Sequence, residues 1–306
     1  SDAQIILQEL DDICNSKTFL ESNMVLLGAS GSFLDELEIS DKLQYGIMKR
    51  ISQSHIQEVI IETHYKSISN DKLQIIREIF PNKAVHIEMG LETITEIFQT
   101  NIINKSISLP QLKETIRQIH AHNIIVELNI LFGMPFLATN HQVEDALKTI
   151  RWALENGADN VIVFPINIHP YTVFDWWHNN GYITMPSLWG LFMLLQNLTD
   201  KELACVGLAW YGNRSIVYSD KEKTVIPRAC PICQEQLISF FDDFASNYNL
   251  AYRKERLHDF ANRTFPCKCW QNFSAGAVDE THTSFTTKLK SAHDALERWM
   301  KEYAVE

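Results

Sequence analysis

The feature that most constrains the fold is a regular alternation of short apolar strands with amphipathic helices. Strands rich in Ile and Val are predicted at 23–28, 58–63, 84–90, 124–133 and 160–166. Helices are predicted at 3–20, 40–53, 70–80, 93–100, 110–122 and 140–156. Strands of this kind, separated by helices, indicate a parallel sheet covered by helices. Right-handed connections then curl such a sheet into a barrel or partial barrel, so we expect an α/β fold.

The two ends of the chain depart from this alternation. The chain opens with a helix that leads into a strand, which predicts that the first strand of the barrel belongs in front of Ser1. After Pro170 come a Trp-rich segment, a helix near 187–199, a strand at 203–212, a Cys-bearing part and a final helix at 284–302. We therefore predict a barrel domain at 1–200 and a C-terminal extension at 201–306.

Composition narrows the location and the partners of the protein. The 306 residues contain 45% apolar side chains, without the long apolar run of a membrane span or the start of a signal peptide, so a cytoplasmic protein is expected and no membrane partner. The net charge of -11 disfavours tRNA without excluding it, since a phosphate backbone needs a local basic face such as Lys221, Lys223 and Arg228. The oligomeric state is not indicated.

Polar residues gather where the predicted strands end. In AVHIEMGLE, Glu88 and Glu92 flank Gly90, and carboxylates are costly in a sheet unless they have partners or face a ligand. The alternatives are that Glu88 pairs with a lysine and that His86 is a satisfied core or rim histidine. The other predicted strand ends carry four candidate substrate-facing residues, which are Glu62, His64, Asn167 and His169. A rival hypothesis uses His64, Glu88, Glu127 and His169 as divalent-metal ligands of a barrel hydrolase.

Four of the six cysteines are clustered in the sequence. Cys230 and Cys233 form C-x2-C, and Cys267 and Cys269 form C-x-C after thirty-three intervening residues. Four thiolates suit a tetrahedral Zn²⁺ ion in a structural role, while an auxiliary iron–sulfur cluster would use the same ligands. The remaining alternative is four reduced cysteines without a metal.

The tryptophans of the later segment allow two interpretations. Trp176, Trp177, Trp189 and Trp210 would either stack on a nucleic-acid base or pack a lid onto the barrel. Aromatic residues in a segment rich in Pro and Gly favour the packing interpretation.

Several motifs occur in an order that resembles a known enzyme branch. They are GSFLD, VIIETH, IEMGLET followed by INKS, NILFGMP, and FPINIH before the Trp-rich segment. This order is similar to that of the Elongator-catalytic-subunit-like branch of radical S-adenosylmethionine enzymes. Within that branch, NIHPYTVFDWWHNNGYITMPSLW together with CPIC and CKCW looks most like the archaeosine-forming radical enzymes, which act on a modified tRNA base.

The resemblance implies a partial (β/α)6 TIM-like barrel that binds S-adenosylmethionine and a [4Fe-4S] cluster. The family then uses a 5'-deoxyadenosyl radical to abstract hydrogen from its substrate, here a nucleoside, tRNA or small metabolite. The Gly-rich turn GASGSF would receive the amino-acid end of the cofactor, the strand-end carboxylates its ribose or ammonium group, and NILFGMP its adenine. The cofactor-binding residues implied are Gly28, Ser30, Gly31, Ser32, Glu88, Gly90, Glu92 and Gly133.

One departure from the family pattern is large. The cluster motif C-x3-C-x2-C occurs nowhere in the 306 residues. Either the motif lies upstream of Ser1, or the chain descends from an enzyme that lost its cluster and now serves as a binding module with a nucleotide-like pocket. In both cases, this chain by itself is expected to be inactive in radical chemistry.

Overall fold

A computed structural model describes residues 2–28, 31–210, 224–265, 267–274 and 284–303. Within these residues, six parallel strands form one sheet and follow each other in chain order. The strands are β1 Met24–Leu27, β2 Glu58–Glu62, β3 Ala84–Glu92, β4 Ile125–Phe132, β5 Asn160–Pro165 and β6 Val206–Leu208. The predicted fold class, an α/β partial barrel with helices between parallel strands, is confirmed.

Helices connect the strands and continue beyond the last one. From the amino end they are α1 Asp2–Cys14, α2 Lys17–Leu20, α3 Asp41–Ser52, α4 Asn70–Ile79, α5 Glu96–Asn101, α6 Leu109–Ala121 and α7 Thr139–Glu155. After β5 follow α8 Val173–Asn179, α9 Leu188–Gln196, α10 Asp200–Cys205, α11 Pro231–Ser246, α12 Leu250–Ala261, α13 Cys269–Ser274 and α14 Phe285–Tyr303. A short 3-10 helix covers Tyr65–Ser67.

Local capping explains where several of these helices begin. Ser69 accepts a hydrogen bond from the amide of Lys72 and so caps α4, as its position before an amphipathic run predicts. Thr199 and Glu202 form a capping box, which starts α10 at Asp200. The strand predicted at 203–212 is therefore wrong at its start, because residues 203–205 belong to that helix and the strand is Val206–Leu208. Residues 211 and 212 lie outside the described residues.

By its internal contacts, the chain divides into two compact units that alternate along the sequence. The first contains residues 1–92, 106–129 and 152–161, and the second contains residues 93–105, 130–151 and 162–306. These units do not follow the predicted division into 1–200 and 201–306, which stays a prediction.

Each unit has its own buried apolar residues. In the first, the strand residues Val59 and Ile61 and the helix residues Ile51 and Ile76 are fully buried. In the second, Trp177 is buried against Phe136, and its indole donates a hydrogen bond to the carbonyl of Ala292 at 3.2 Å.

The other predicted aromatic residues also have ring partners in the second unit. Trp189 is buried and stacks on Trp270, Trp176 stacks on Tyr182, and Trp210 contacts Phe241. These ring contacts agree with the packing interpretation.

The described helices give no sign of a membrane span. Among the described residues, no helix combines the length and the apolar character that crossing a bilayer requires. The cytoplasmic location stays a prediction.

Candidate functional site

A set of polar side chains, here called the polar row, crosses one face of the sheet in the first unit. The strands β2 and β3 pair in a register that aligns Ile60 with His86 and Glu62 with Glu88. Since side chains alternate between faces, the residues between these polar positions point the other way, and Ile61, Ile87 and Leu128 are fully buried there. The polar row consists of Glu58, Glu62, His86, Glu88, Glu127, Asn129 and Asn160.

His86 lies in the polar row between two carboxylates. Its Nδ1 is 3.0 Å from Glu127 Oε1 and its Nε2 is 3.1 Å from Glu58 Oε1. Glu127 Oε1 also accepts a hydrogen bond from Asn160 Nδ2 at 3.1 Å. A carboxylate only accepts, so Nδ1 donates the hydrogen bond to Glu127, and the nearby Glu58 carboxylate favours the charged form of the ring. The structure thus agrees with the interpretation of His86 as a satisfied buried histidine.

The pKa of His86 reflects this pairing. Burial alone would lower the pKa, but the hydrogen bond to Glu127 and the charges of Glu127, Glu58 and Asp159 raise it above the ordinary histidine value. A group whose pKa is raised on folding stabilises the protein fully below its unfolded pKa. That contribution is lost as pH rises through the raised folded value.

We therefore expect the free energy of unfolding to fall as pH rises above about 6.5, the ordinary pKa of histidine. His86→Gln keeps a polar side chain and removes the titration, so this part of the decline should disappear. Urea unfolding at a series of pH values measures the effect. The control is His55→Gln, since the exposed His55 ring contacts the carbonyl of Ser22. A His86→Gln profile parallel to that of the wild type would contradict the assignment.

Glu88 also lies in the polar row, beside Asn129. Asn129 Nδ2 donates to Glu88 Oε1 at 2.6 Å, and both residues are 7% exposed. Glu88 thus contacts an amide, not a lysine. Burial raises the pKa of Glu88 and the charges of Glu62 and Glu127 add to that rise, while the hydrogen bond from Asn129 opposes it. Asn129 Oδ1 is buried and has no partner among the described residues. Asn129 Oδ1 is therefore a buried acceptor that lacks a donor within the described part of the chain.

The Gly-rich turn after β1 is held by internal hydrogen bonds. The Ser32 amide donates to Glu38 Oε2 at 2.7 Å, and the Phe33 amide donates to the Glu62 carbonyl at 3.0 Å. The Ser32 hydroxyl lies 2.7 Å from Thr63 Oγ1 and accepts from the amide of His64. The Ser32 amide, which was predicted to bind the cofactor, thus donates instead to a carboxylate of the chain itself. The predicted Ser30 lies outside the described residues.

The predicted glycines differ in what surrounds them. A Cβ added to Gly28 would lie 2.6 Å from Glu62 Cβ, and one added to Gly31 would clash with the Glu38 carboxylate. Gly133 has a φ of 100°, and its added Cβ would lie 2.6 Å from Pro186 Cγ. Gly90 is half-buried within β3. The small size of Gly28, Gly31 and Gly133 therefore serves close packing, whereas a role in ligand approach stays a prediction.

Glu92 ends β3 with a φ of 61°, a left-handed conformation that few residues other than glycine adopt. The chain is fixed directly after it, because Thr93 Oγ1 donates to the buried Asp145 at 3.0 Å and Thr95 Oγ1 donates to it at 2.6 Å. Burial raises the pKa of Asp145, and the hydrogen bonds from Thr95 and Thr93 oppose that rise. This anchor fixes the backbone that follows Glu92.

The predicted substrate-facing residues fall in different units. Glu62 and His64 belong to the first unit, where His64 lines an open cleft of about 510 Å³ with Lys66 and Lys72. Asn167 and His169 belong to the second unit, where His169 Nδ1 lies 3.5 Å from Thr224 Oγ1. Their role in substrate binding stays a prediction.

The four clustered cysteines meet in the second unit. All four Sγ atoms lie within 4.8 Å of one another, and Cys233 is fully buried. Burial alone would raise the pKa of Cys230, but hydrogen bonds to Cys269, the backbone of Cys233 and Cys267 lower it to about 7. The hydrogen bond to Cys230 raises the pKa of Cys269 to about 12. These residues are able to hold a metal, as their spacing predicts.

The rival hydrolase site has no such support. Within the described residues, the cysteines are the one set of three or more histidine, cysteine or acidic groups close enough to share an ion. His64, Glu88, Glu127 and His169 do not form such a set.

The sequence patterns do not indicate four residues that contact the predicted site residues. They are Glu38 at the Ser32 amide, Asn129 beside Glu88, Glu58 beside His86, and Asn160 beside Glu127. A usable signal existed in VELNIL, where Glu127 and Asn129 stand two residues apart in an apolar strand and so share one face.

Comparison with known proteins identifies partial relatives. No protein-family model matches the chain. The sequence is 27% identical over 180 residues to an uncharacterised protein of Methanocaldococcus jannaschii. The aligned region covers 58% of this chain and 49% of that protein.

Two named relatives are archaeosine synthase subunit beta proteins. The one from Methanosarcina acetivorans is 24% identical over 174 residues, covering 56% of this chain and 50% of the relative. The one from Thermococcus kodakarensis is 25% identical over 173 residues, covering 56% and 53%. This chain thus spans about half the length of the curated relatives it matches.

Solved structures are also similar, though more distantly. Methanocaldococcus infernus Elp3 with an N-terminal deletion has a TM-score of 0.47 at 12% identity, covering 68% of this chain and 51% of that one. Coproporphyrinogen III oxidase from Escherichia coli, described as a radical SAM enzyme, has a TM-score of 0.45 at 14% identity, covering 64% and 44%. Because both TM-scores are below 0.5, we draw no conclusion about this chain from these two structural similarities. The resemblance predicted from the motif order is nevertheless confirmed by the curated relatives, because this chain is similar over 56% of its length to proteins named archaeosine synthase subunit beta.

Proposed function

We propose that this chain is the body of a radical S-adenosylmethionine enzyme that modifies a nucleoside, tRNA or small metabolite. The observation that carries the proposal is the pair of Glu88 and Asn129 in the polar row. Asn129 Oδ1 is a buried acceptor without a partner among the described residues, and Glu88 is a buried carboxylate with a raised pKa. The likeness to relatives named archaeosine synthase subunit beta supports the enzyme class and a nucleoside substrate.

The pair fits a ligand that brings hydrogen-bond donors. Buried acceptors without donors lose about 1–3 kcal/mol each, so a ligand with hydroxyl or ammonium groups recovers this free energy. Ribose hydroxyls and the amino group of S-adenosylmethionine are such donors. Glu88 and Asn129 would then bind and orient the cofactor while the surrounding apolar residues exclude water.

The other predicted cofactor residues have supporting roles in this proposal. Glu92 would direct its carboxylate toward the ligand, since a strained backbone conformation is retained where the surrounding structure holds it for a function. Gly28, Gly31, Ser32 and Gly90 would shape the strand ends, and Ser30 and Gly133 are retained from the family pattern. For Ser32 to offer its amide to the cofactor, Glu38 would have to move or be replaced as the acceptor.

The cluster is proposed to be held by residues outside the 306 residues. When bound, the [4Fe-4S] cluster supplies the electron that cleaves S-adenosylmethionine to a 5'-deoxyadenosyl radical, which abstracts hydrogen from the substrate. Exposed apolar side chains support coverage by a further segment of the same protein, since Ile5 and Ile13 of α1 and Met24 and Leu26 of β1 are half exposed or more. Reading the gene upstream of the Ser1 codon tests this, and a C-x3-C-x2-C motif there is expected.

The alternative is a binding module without a cluster, and the observation in its favour is the missing cysteine motif. Both functions use the pocket at Glu88, so cofactor binding alone does not separate them. A complete reading frame without C-x3-C-x2-C would favour the module. The proposed substrate side, with Glu62, His64, Asn167 and His169, would then bind without transforming its ligand.

Cofactor binding gives the direct test of the pocket. The chain as it stands should bind S-adenosylmethionine and 5'-deoxyadenosine weakly, because adenine and ribose contacts remain without the cluster. Glu88→Gln should weaken binding of both about 10- to 100-fold, since a hydrogen bond to a charged group contributes about 1.5–3 kcal/mol. Titration calorimetry measures the affinities.

A matched control separates the site from general charge effects. Glu78→Gln removes a glutamate of α4 whose carboxylate accepts a hydrogen bond from Gln74, outside the polar row. Its affinity should equal that of the wild type. Equal affinities in all three proteins would remove Glu88 from the site, and no binding of either ligand to the wild type would refute the pocket.

A further inference from the structure

We propose that Cys230, Cys233, Cys267 and Cys269 bind one tetrahedral metal ion, Zn²⁺, and not an iron–sulfur cluster. The inference is independent of the proposed cofactor pocket, because it concerns only the thiols of the second unit. Sequence spacing leaves both types of site open, whereas the separation of the sulfur atoms distinguishes them.

The sulfur positions match a single ion. A Zn–S bond of about 2.3 Å places the four sulfurs of a tetrahedron about 3.8 Å apart. Here Cys230 Sγ lies 3.6 Å from Cys267 Sγ, Cys233 Sγ lies 2.9 Å from Cys267 Sγ, and all four lie within 4.8 Å of one another. A small adjustment that separates Cys233 from Cys267 would admit one ion at the centre.

An iron–sulfur cluster needs more room between the same ligands. Its cysteines are distributed over more than one iron, and inorganic sulfides lie between the irons. The thiolates must then surround a group several atoms wide, which requires wider spacing than a shared ion does. The compact arrangement therefore favours mononuclear binding.

The backbone brings the four ligands in from two separate segments. Cys230 is the N-cap residue of α11 and Cys233 lies in its first turn, while Cys267 precedes α13 and Cys269 begins it. The amino end of α11 favours negative charge, so it stabilises the thiolates that zinc requires. Four ligands also leave no open coordination position, which makes the ion structural.

The ion would stabilise an aromatic cluster that lies next to the ligands. Phe265 and Trp270, on either side of Cys267 and Cys269, both contact Trp189, each with ring centroids 5.0 Å apart. A metal that joins this segment to the start of α11 also closes the loop that contains α11 and α12. Metal binding should therefore stabilise the second unit, and the fluorescence of its tryptophans should respond to metal removal.

The test uses the full chain purified under reducing conditions. Elemental analysis should find about one zinc per chain, without acid-labile sulfide. Removal of zinc with a chelator should lower the urea midpoint and change the tryptophan emission, and both should recover when Zn²⁺ alone is added. Replacement by Co²⁺ should give the intense thiolate-to-metal absorption of a tetrahedral four-thiolate site.

Cysteine variants identify the ligands. Cys269→Ser should reduce Zn²⁺ affinity at least about 10-fold, and Cys14→Ser and Cys205→Ser should retain one zinc, because those two cysteines stand apart from the cluster. If Cys269→Ser does not fold, the Co²⁺ spectrum of the wild type still decides the ligand set. Iron with sulfide, a Cys233–Cys267 disulfide in the reduced preparation, or no bound metal would each overturn the proposal. One iron without sulfide would overturn zinc.

Discussion

Arg253→Met is expected to destabilise the protein by roughly 3–5 kcal/mol, one of the two largest effects of a single substitution that we predict. Arg253 is fully buried in the second unit. Its guanidinium donates to the carbonyls of Asn247 at 2.6 Å, Val206 at 2.6 Å and Leu203 at 3.1 Å. Methionine fills a similar volume but removes these donors, and losing the donors to the buried Leu203 and Val206 carbonyls costs about 1–3 kcal/mol each before relaxation.

Aromatic rings complete the surroundings of this guanidinium. Its central carbon lies 4.4 Å from the Phe244 ring centroid and 4.5 Å from that of Tyr248. Lysine does not reproduce the planar donor group, so Arg253→Lys should recover little of the lost stability. Since folded domains are stable by only about 5–15 kcal/mol, the loss is large enough to unfold part of the population.

Urea unfolding followed by circular dichroism measures the effect of the Arg253 substitutions. Lys254→Met is the matched control, because Lys254 is the next residue of α12 and forms an exposed ion pair with Asp200 at 2.6 Å. Exposed pairs contribute about 0–1 kcal/mol, so this variant should remain close to the wild type. Similar midpoints for Arg253→Met and Lys254→Met would contradict the structural role of Arg253.

Gly133→Ala is expected to destabilise the protein by about 2–5 kcal/mol, through two separate causes. The φ of 100° is unfavourable for any residue with a Cβ. In addition, the new methyl group would lie 2.6 Å from Pro186 Cγ and 2.9 Å from Ile166 Cγ2, closer than van der Waals contact allows. Pro186 is rigid, so the backbone must move to make room.

Gly181→Ala separates the two causes. Gly181 has a φ of 76°, but nothing lies within 4 Å of an added Cβ. Gly181→Ala should therefore lose only the backbone contribution, about 1–2 kcal/mol. Thermal and urea unfolding of both variants gives the comparison. If Gly133→Ala loses no more stability than Gly181→Ala, the close packing at Pro186 is not tight in solution.

The sequence predicted the strands well because their signal is local. Runs of β-branched residues bounded by turn residues placed β2 through β5 within two residues of their observed ends. The strand at 203–212 was misplaced at its start because Thr199 and Glu202 form a capping box, and this local signal was overlooked. Both the success and the error depend on interactions between residues close in sequence.

The sequence named several site residues but not their partners. Glu88 was identified as a strand-end carboxylate, yet its neighbour is Asn129, not a lysine. His86 was interpreted as a core or rim histidine, but the two carboxylates that hold it come from β2 and β4. Partners of this kind depend on the register of neighbouring strands, which local sequence patterns do not specify.

By itself, the sequence determined the α/β alternation, the likeness to archaeosine-forming enzymes and the four cysteines that could bind a metal, because periodicity, motif order and residue chemistry are local properties of the chain. Only the tertiary structure decided that Arg253 of α12 is buried, which acceptor in the polar row lacks a donor, and how closely the four cysteine sulfurs approach one another. These properties depend on contacts between residues that are far apart in sequence. They are fixed by packing and by the need to satisfy buried polar groups, and both arise only when distant segments meet.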